Sequence, residues 1–528
     1  MSLEKDLQKF FGFTSFREVQ HKIIKGALKN YDQLVILPTG SGKSICYQLP
    51  GLIQDGYTII VSPLMSLIKD QINNLEKKGI NAVGIYSGTT EKQKTIIYSK
   101  ILQNKADFKL IYTTPESIDT NISFINCIMH MKTNNLLNRF VIDEAHCISM
   151  WGNDFRSSYR KLSQLKSNFP GIPIMALTAT ATLQVRKDIV HNLQFKKYRQ
   201  YTKSYFRSNL KIKIFNKVNK ATTQTQILEF CSQFKGETGI IYCNSRKKCE
   251  QLAEFINTNR KHPNISCAHY HAGMTNKNRT QIENDWKSNK VNIIVATVAF
   301  GMGIDKSDVR FVIHNNLPTS MENYYQEIGR GGRDDQPCYC ILFYSYQDKI
   351  ISEKMIRSDP SYMKNQKYIQ HQLDKLNSLC GFCENIYDCR HCQLSNYLGE
   401  IRDNQTQQCT NSCDNCIDRD KYEFSDVSDI AREIINAIMV SGNRCYKSNI
   451  KKIFMQSHMY GFFKNKYSGT KGLMELYNRL VVHLIINKFI KEELEINDYG
   501  FWNENLKLYK KAKSLLDKIE HITLLIKK

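Results

Sequence analysis

The sequence predicts an α/β fold of two consecutive parallel-sheet lobes, followed by a helical, cysteine-bearing segment and a mostly helical tail. Three observations lead there. Short apolar stretches alternate with helical ones from residue 30 to about 200, and the same rhythm resumes near 238 and runs to 344, as βα units require. A glycine-rich loop follows the first strand of the first series and has no counterpart in the second. Seven of the 17 cysteines fall between Cys380 and Cys416, where the rhythm has stopped.

The first lobe has expected strands at 33–37, 57–61, 109–113, 139–142 and 174–177. A polar bridge, 209–225, leads to the second, with strands at 238–242, 265–270, 292–296, 309–314 and 340–344. The expected division is 1–207, 208–350, a cysteine-bearing unit at 351–424 and a tail unit at 425–528. A chain of 528 residues is too long for one core. No apolar run approaches the ~20 residues that span a bilayer. The start, Met1-Ser2-Leu3-Glu4-Lys5-Asp6, has no apolar signal core, so export is not expected and an intracellular site is. With 74 basic against 50 acidic side chains the net charge is +24, which points to a polyanionic partner.

Chemistry enters with Leu37-Pro38-Thr39-Gly40-Ser41-Gly42-Lys43-Ser44, a phosphate loop with Leu37 where a first glycine is usual. Its glycines let backbone N–H groups point into a nest around phosphates. Lys43 would reach the β/γ oxygens, and the Ser44 hydroxyl would ligate Mg²⁺. About a hundred residues on, the apolar strand Phe140-Val141-Ile142 runs into Asp143-Glu144-Ala145-His146. Asp143 would hold the Mg²⁺ from the other side and Glu144 would orient the attacking water. Together these segments specify nucleotide hydrolysis.

Three further segments fit that site. The second lobe carries Gln326-Glu327-Ile328-Gly329-Arg330-Gly331-Gly332-Arg333, two arginines that can lean across a cleft onto a γ-phosphate. An arginine so placed is worth about 10³ to 10⁵ in rate. Near the start, Phe16-Arg17 and Gln20 offer an aromatic to stack on adenine and an amide to read its edge. After the carboxylates, Trp151, Phe155 and Arg156 can stack on unpaired bases.

In order, Ser62-Pro63-Leu64, Asp70-Gln71, Asp143–His146 with its aromatic loop, Leu177-Thr178-Ala179-Thr180, Tyr242-Cys243-Asn244-Ser245-Arg246, Tyr270-His271-Ala272-Gly273, Ala299-Phe300-Gly301-Met302-Gly303-Ile304 and Gln326–Arg333 resemble the motif set of RecQ-type superfamily 2 helicases. The resemblance covers nearly the whole chain. It implies two RecA-like lobes, a helical zinc-binding subdomain and a winged helix, acting as an ATP-dependent DNA helicase of 3′→5′ polarity in repair, recombination or replication. ATP, Mg²⁺ and Zn²⁺ are the implied cofactors, and single-stranded and fork or junction DNA the implied partners, with no membrane. By matching positions, Arg17, Gln20, Thr39, Gly40, Ser41, Gly42, Lys43, Ser44 and Gln326 bind nucleotide. Lys43, Asp143, Glu144, Arg330 and Arg333 act in hydrolysis, Thr178 and Thr180 couple the lobes, and Trp151, Phe155 and Arg156 meet DNA. Three departures stand out: Asn153 where His is frequent, Ser157-Ser158 where Pro-Glu is, and Gly331 in place of Ala.

Cys409, Cys413 and Cys416 close a compact loop that Cys389 would join as the family's first ligand does, a four-thiolate zinc site. Cys380, Cys383, Cys392 and His391 are competitors, and a second ion is open. The tail resembles the winged helix of Bloom and Werner helicases. Its expected helix, 471–488, has Ser468, Thr470 and Lys471 at its start for phosphate contact. Expected strands at 493–496 and 506–509 flank Tyr499, Phe501 and Trp502, candidates for the strand-separating wedge. The chain is expected to end in a short Lys-rich helix, without a further helical nucleic-acid-binding domain. Two rivals are an RNA helicase, which also carries Asp-Glu-Ala-His, and a scaffold or annealing protein with weak ATPase.

Overall fold

A computed structural model describes residues 2–150, 156–234, 236–259, 265–301, 304, 306–359, 365–404, 406–443, 445–467, 469–496 and 502–527. Of the residues singled out above, Trp151, Asn153, Phe155, Met302, Gly303, Ser468, Tyr499 and Phe501 lie outside the described residues.

The first lobe is a seven-stranded parallel sheet: β1 (Asp32–Ile36), β2 (Tyr57–Val61), β3 (Ala82–Ile85), β4 (Leu110–Thr113), β5 (Leu137–Ile142), β6 (Ile174–Thr178) and β7 (Tyr198–Thr202). Their order is β3-β4-β2-β5-β6-β1-β7. Helices cover both faces, so interior strands such as β2 and β4 are wholly buried and read as apolar runs. The two strands without a sequence expectation, β3 and β7, are the edges. Four of the five β7 residues are exposed, and Tyr-Arg-Gln-Tyr-Thr carries no apolar run.

The second lobe is a six-stranded parallel sheet of β8 (Leu210–Asn216), β9 (Thr238–Tyr242), β10 (Cys267–Tyr270), β11 (Ile293–Ala296), β12 (Val309–His314) and β13 (Cys338–Tyr344), in the order β10-β11-β9-β12-β13-β8. The expected polar bridge is corrected here: 209–225 holds edge strand β8, paired with β13 from Leu210–Cys338 to Asn216–Tyr344, and the start of helix Lys220–Ser232. Lysines at 211 and 213 interrupt its apolar pattern because only one edge of β8 pairs within the sheet.

Helices Tyr346–Ser358, Gln366–Glu384 and Arg390–Tyr397 lead into the cysteine loop. The tail has a separate core around Ile434, Phe454, Leu473 and Leu480. It is built from helices Ser428–Val440, Lys447–Met455, Tyr460–Lys466 and Gly469–Ile486 and an antiparallel sheet of β15 (Cys445–Tyr446), β17 (Trp502–Leu508) and β16 (Ile490–Ile496). The last helix starts and ends two residues before its expected bounds. Both hairpin strands are longer than expected, so Trp502 stands in β17 opposite Ile496 instead of in the loop. The expected Lys-rich end is also corrected. Helix Ala512–Leu516 gives way to β18 (Thr523–Lys527), which pairs antiparallel with β14 (Tyr422–Asp426) because Leu524-Leu525-Ile526 is apolar strand material. Among the described residues no helix is long and apolar enough to cross a membrane.

Candidate functional site

The phosphate loop leaves the carboxyl end of β1 and enters helix Lys43–Ile53. Gly40 and Gly42 take φ of 83° and 75°, left-handed values open to glycine at no steric cost. Lys43 folds back so that its Nζ donates to the Leu37 carbonyl at 3.0 Å, the position from which a phosphate would displace it. Burial brings its ammonium below the ordinary range, Arg333 acting the same way and the charges of Glu144 and Asp143 opposing. Thr39, Ser41 and Ser44 are half-buried around the nest.

Asp143 and Glu144 follow β5, two strands from β1 across β6. Asp143 is anchored by its N–H to the Val61 carbonyl (2.9 Å), and its own carbonyl accepts from the Tyr159 hydroxyl (2.9 Å). Burial, then the charge of Glu144, pushes its carboxyl up to about 7, with Lys43 opposing. Glu144 is also penalised by burial, yet His146, Lys43 and Arg330 outweigh that and hold it below the ordinary carboxylate range. Buried Asp143 and half-buried Glu144, both under the charge of Lys43, form with the Ser44 hydroxyl a donor set suited to Mg²⁺.

Gln20 and Arg17 lie against the loop. The Gln20 amide donates to the Gly42 carbonyl (3.0 Å) and accepts from the Arg17 N–H (2.9 Å), while the Arg17 guanidinium donates to the Gly40 carbonyl. Gln20 is therefore a buckle of the phosphate loop here, its amide committed to backbone. A Cβ on Gly42 would lie 2.4 Å from that amide nitrogen.

The second lobe closes on this surface. Arg333 packs its stem over Gly40, 3.1 Å from where a Cβ would stand, and Gly329 lies against Thr39. Arg330 is buried, donates to the Gly301 carbonyl and directs charge at Glu144. Gln326 Nε2 donates to Thr180 Oγ1 across the lobes (2.9 Å). Thr178 Oγ1 in turn bonds the Thr180 carbonyl (3.1 Å) and lies 2.9 Å from His146 Nδ1, which is 3.2 Å from Glu144. One polar chain thus runs from the second lobe to the carboxylate expected to orient water.

The expected DNA-facing residues are less uniform. Arg156 donates to the Pro63 carbonyl, joining the aromatic loop to the Ser62-Pro63-Leu64 segment. Thr470 and Lys471 are exposed in the first turn of their helix. Trp502 is half-buried, with Lys354 over its ring at 5.8 Å, so it faces the helix after the second lobe.

Cys389, Cys409, Cys413 and Cys416 come together with their Sγ atoms within 4.8 Å of one another. Four thiols at that spacing fit Zn²⁺, whose tetrahedral Zn–S bonds of ~2.3 Å require such a cluster. The Arg390 N–H points at Cys413 Sγ (3.4 Å), a contact that favours thiolate. Cys392 instead donates to the Gln407 carbonyl (3.2 Å), and His391 Nε2 lies 3.1 Å from the Leu210 carbonyl. Among the described residues no second cysteine cluster forms around Cys380 and Cys383.

Some functional contacts had no motif to reveal them. Asn209, at the start of the expected polar bridge, and Arg207, just ahead of it, bond the arginine segment. Gln48 joins Tyr112 (2.9 Å) and Gln71 (3.0 Å) behind the phosphate loop.

Comparison with known proteins adds the following. A DEAD/DEAH box helicase model matches residues 17–189, a helicase conserved C-terminal domain model 219–335 and a RecQ zinc-binding model 346–417. The chain is 38% identical to the ATP-dependent DNA helicase RecQ of Haemophilus influenzae over 97% of its own length and 79% of that protein's. It is 36% identical to the RecQ-like DNA helicase BLM of Xenopus laevis and to the ATP-dependent helicase SGS1 of Saccharomyces cerevisiae. It spans 37% and 36% of those two proteins, little more than a third of each. Among solved structures, the DUF1998 helicase MrfA bound to DNA has a TM-score of 0.55 at 19% identity, covering 74% of this chain and 55% of that one. The DEAD-box helicase Mss116 bound to single-stranded RNA has 0.52 at 18%, covering 71% and 88%. These two likenesses are of fold.

Proposed function

We propose, for a chain that belongs to the RecQ helicase family, that it is an ATP-dependent motor translocating 3′→5′ on single-stranded DNA and unwinding duplex in repair, recombination or replication. The observation that carries this reading is the convergence of the phosphate loop, Asp143–Glu144 and the Arg330–Arg333 turn at one inter-lobe cleft.

In this reading Lys43 leaves the Leu37 carbonyl for the β/γ-phosphates, and the loop N–H groups take the remaining oxygens. Ser44 and Asp143 would hold Mg²⁺, which would supply charge neutralisation and alignment of the phosphates. Glu144 orients the attacking water, and its approach is fixed by His146. Arg330 and Arg333 neutralise the charge that develops on the transferred phosphoryl group, Arg333 being the finger. Gln20 reads adenine once its amide exchanges the Gly42 carbonyl for the base. The Gln326–Thr180–Thr178–His146 chain makes lobe closure and water positioning one event. The loop carrying Trp151, Phe155 and Arg156 senses single strand and reports through Pro63.

Zn²⁺ on the four cysteines ties the tail to the second lobe. The tail acts as a winged helix: Thr470 and Lys471 meet duplex phosphate, and Tyr499 and Phe501, between the two hairpin strands in sequence, serve as the wedge together with Trp502. The division at 207, 350 and 424 belongs to the same proposal, as does a place at a site of DNA replication such as the nucleus.

The test is ATP hydrolysis by the wild type and Lys43→Ala, with single-stranded DNA or RNA of matched length. Lys43-dependent stimulation by DNA over RNA is expected. Equal or greater stimulation by RNA would overturn the substrate, and absence of hydrolysis would overturn the motor.

A further inference from the structure

Arg333 reaches the phosphate loop and Arg330 acts on Glu144 from a turn, Gly329–Arg333, whose N–H groups at 329–332 bond backbone carbonyls. Three of the turn's own carbonyls converge on one side chain. Arg207 donates to Gly329 (3.3 Å), Gly331 (3.0 Å) and Gly332. Asn209 adds a bond to Gly332 (2.8 Å) and one to Gln336 (3.0 Å). Only a planar guanidinium has enough fixed donors to hold three carbonyls at once.

Arg207 belongs to neither sheet. It sits in the connection between β7 and β8, which is tied at its start to the first lobe by the Lys203 N–H on the Ile36 carbonyl (3.1 Å). Ile36 is the last residue before the phosphate loop. The same connection is gripped from the zinc side. Glu400 accepts from Ser204 Oγ and from the Tyr205 N–H, both at 2.7 Å, and Arg402 bonds Glu400 (3.2 Å) while covering the Phe206 ring. The Tyr205 carbonyl then accepts from Tyr325 (2.8 Å), on the helix that carries Gln326.

We propose that Arg207 is a positioning residue for Arg330 and Arg333, and that Glu400 of the zinc-binding segment fixes the hinge on which Arg207 is carried. The inference rests on the ATPase reading above and adds to it a route from the zinc side to the transition state. Arg207 itself touches no nucleotide. It sets the depth at which the arginine turn enters the cleft, and a displacement of about 1 Å there is worth about 10²-fold in rate.

The experiment uses the full chain and measures DNA-stimulated hydrolysis together with binding of ADP and of ADP with aluminium fluoride, a mimic of the transferring phosphoryl group. Arg207→Ala should lower kcat about 10²-fold and weaken the aluminium fluoride complex in proportion. The KM for ATP, ADP binding and DNA binding should stay within about threefold. Arg207→Lys, which keeps the charge without the fork, should recover little. Glu400→Gln, which leaves Arg207 in place, should show the same split more weakly, about threefold to tenfold. Two results would overturn the inference: Arg207→Lys and Glu400→Gln with wild-type kcat, or variants that lose ADP, DNA and aluminium fluoride binding together, as a merely structural role would. A wild type that does not hydrolyse ATP would instead overturn the motor reading itself.

Discussion

Glu144 holds φ 49° and ψ 47°, a left-handed backbone that a non-glycine residue adopts only when its surroundings enforce it. Here the surroundings are Tyr159 on the preceding carbonyl, His146 on the carboxylate and the Cys147 N–H on the Glu144 carbonyl (2.9 Å). The strain aims the carboxylate into the cleft instead of along the strand. Glu144→Gln keeps shape and removes the charge that orients water, so DNA-stimulated kcat should fall about 10²- to 10⁴-fold with ATP binding retained; a parallel loss of both would refute the assignment. At the opposite wall, Gly331 stands where the resemblance implies Ala, and a Cβ there would lie 2.1 Å from Cys338 Sγ. Cys338 has taken the space the methyl group would need. Gly331→Ala should therefore destabilise by about 1–3 kcal/mol, and Cys338→Ala in the same chain should recover most of it. Additive losses in a double-mutant cycle by denaturant unfolding would show that the two do not compete for one space.

Among elements, β8 shows most clearly what a sheet edge demands. Its outer edge is completed by the cysteine loop: the Ile212 N–H bonds the Ser412 carbonyl (2.9 Å), Ile212 bridges Cys413 in parallel, and the Ile214 N–H bonds Asp414 (2.9 Å). The loop holds that edge only while the thiols hold their shape, so zinc removal should be felt in the second lobe. Chelation, or Cys413→Ser, should raise amide hydrogen exchange of Leu210–Asn216 far more than that of the interior strand Ile293–Ala296. Uniform exchange across both strands would mean that the loop does not guard the edge. The same elements explain what could be read beforehand. Phosphate loop, carboxylates, arginine turn and the Cys409–Cys416 triplet are readable because their spacing is local, a few residues in one loop or strand end, whereas Cys389, well ahead of them, enters only through the family resemblance. Strands β3, β7 and β8 are not readable, because an edge strand has one partner and needs no continuous apolar run. Arg207 and Glu400 were hidden for a related reason: each acts on a segment more than a hundred residues away, and nothing in the residues beside them marks the contact. The hairpin is legible but its strands are longer than expected, since Lys491, Glu492, Asn503 and Glu504 look like loop residues until their partners are known.

Across the whole molecule, the tail is fixed to the motor by the packing of helix Gly469–Ile486 on helix Gln366–Glu384 and by a buried charge cluster. Glu492 in β16 has a side chain only 1% exposed, and it accepts from Lys349 (2.6 Å) and Tyr346 (2.7 Å) of the helix after the second lobe and from Lys447 (3.2 Å). Glu353 holds the other side of Lys349 at 2.7 Å and is itself paired with Arg357. Burial favours the neutral form of Glu492, but Lys447 and Lys349 outweigh it and keep the carboxyl below its ordinary range. Burial likewise opposes the charge on Lys349, which Glu492 and Glu353 nonetheless raise above the ordinary lysine range. A lowered carboxyl stabilises above its unfolded value and loses that contribution as pH falls through its folded value. A raised lysine stabilises below its unfolded value and loses that contribution as pH rises through its folded value. The cluster should therefore hold the tail with undiminished strength from roughly pH 5 to 10 and release it outside that window. Glu492→Ala leaves Lys349 with Glu353 alone and should cost about 3 kcal/mol, the smaller end for a broken buried pair because one partner remains. Thermal unfolding of wild type and variant from pH 3 to 7 checks both statements. The gap between them should be constant above about pH 5 and close as Glu492 protonates; a gap that persisted unchanged to pH 3 would mean that packing of β16, and not its charge, seats the tail on the motor.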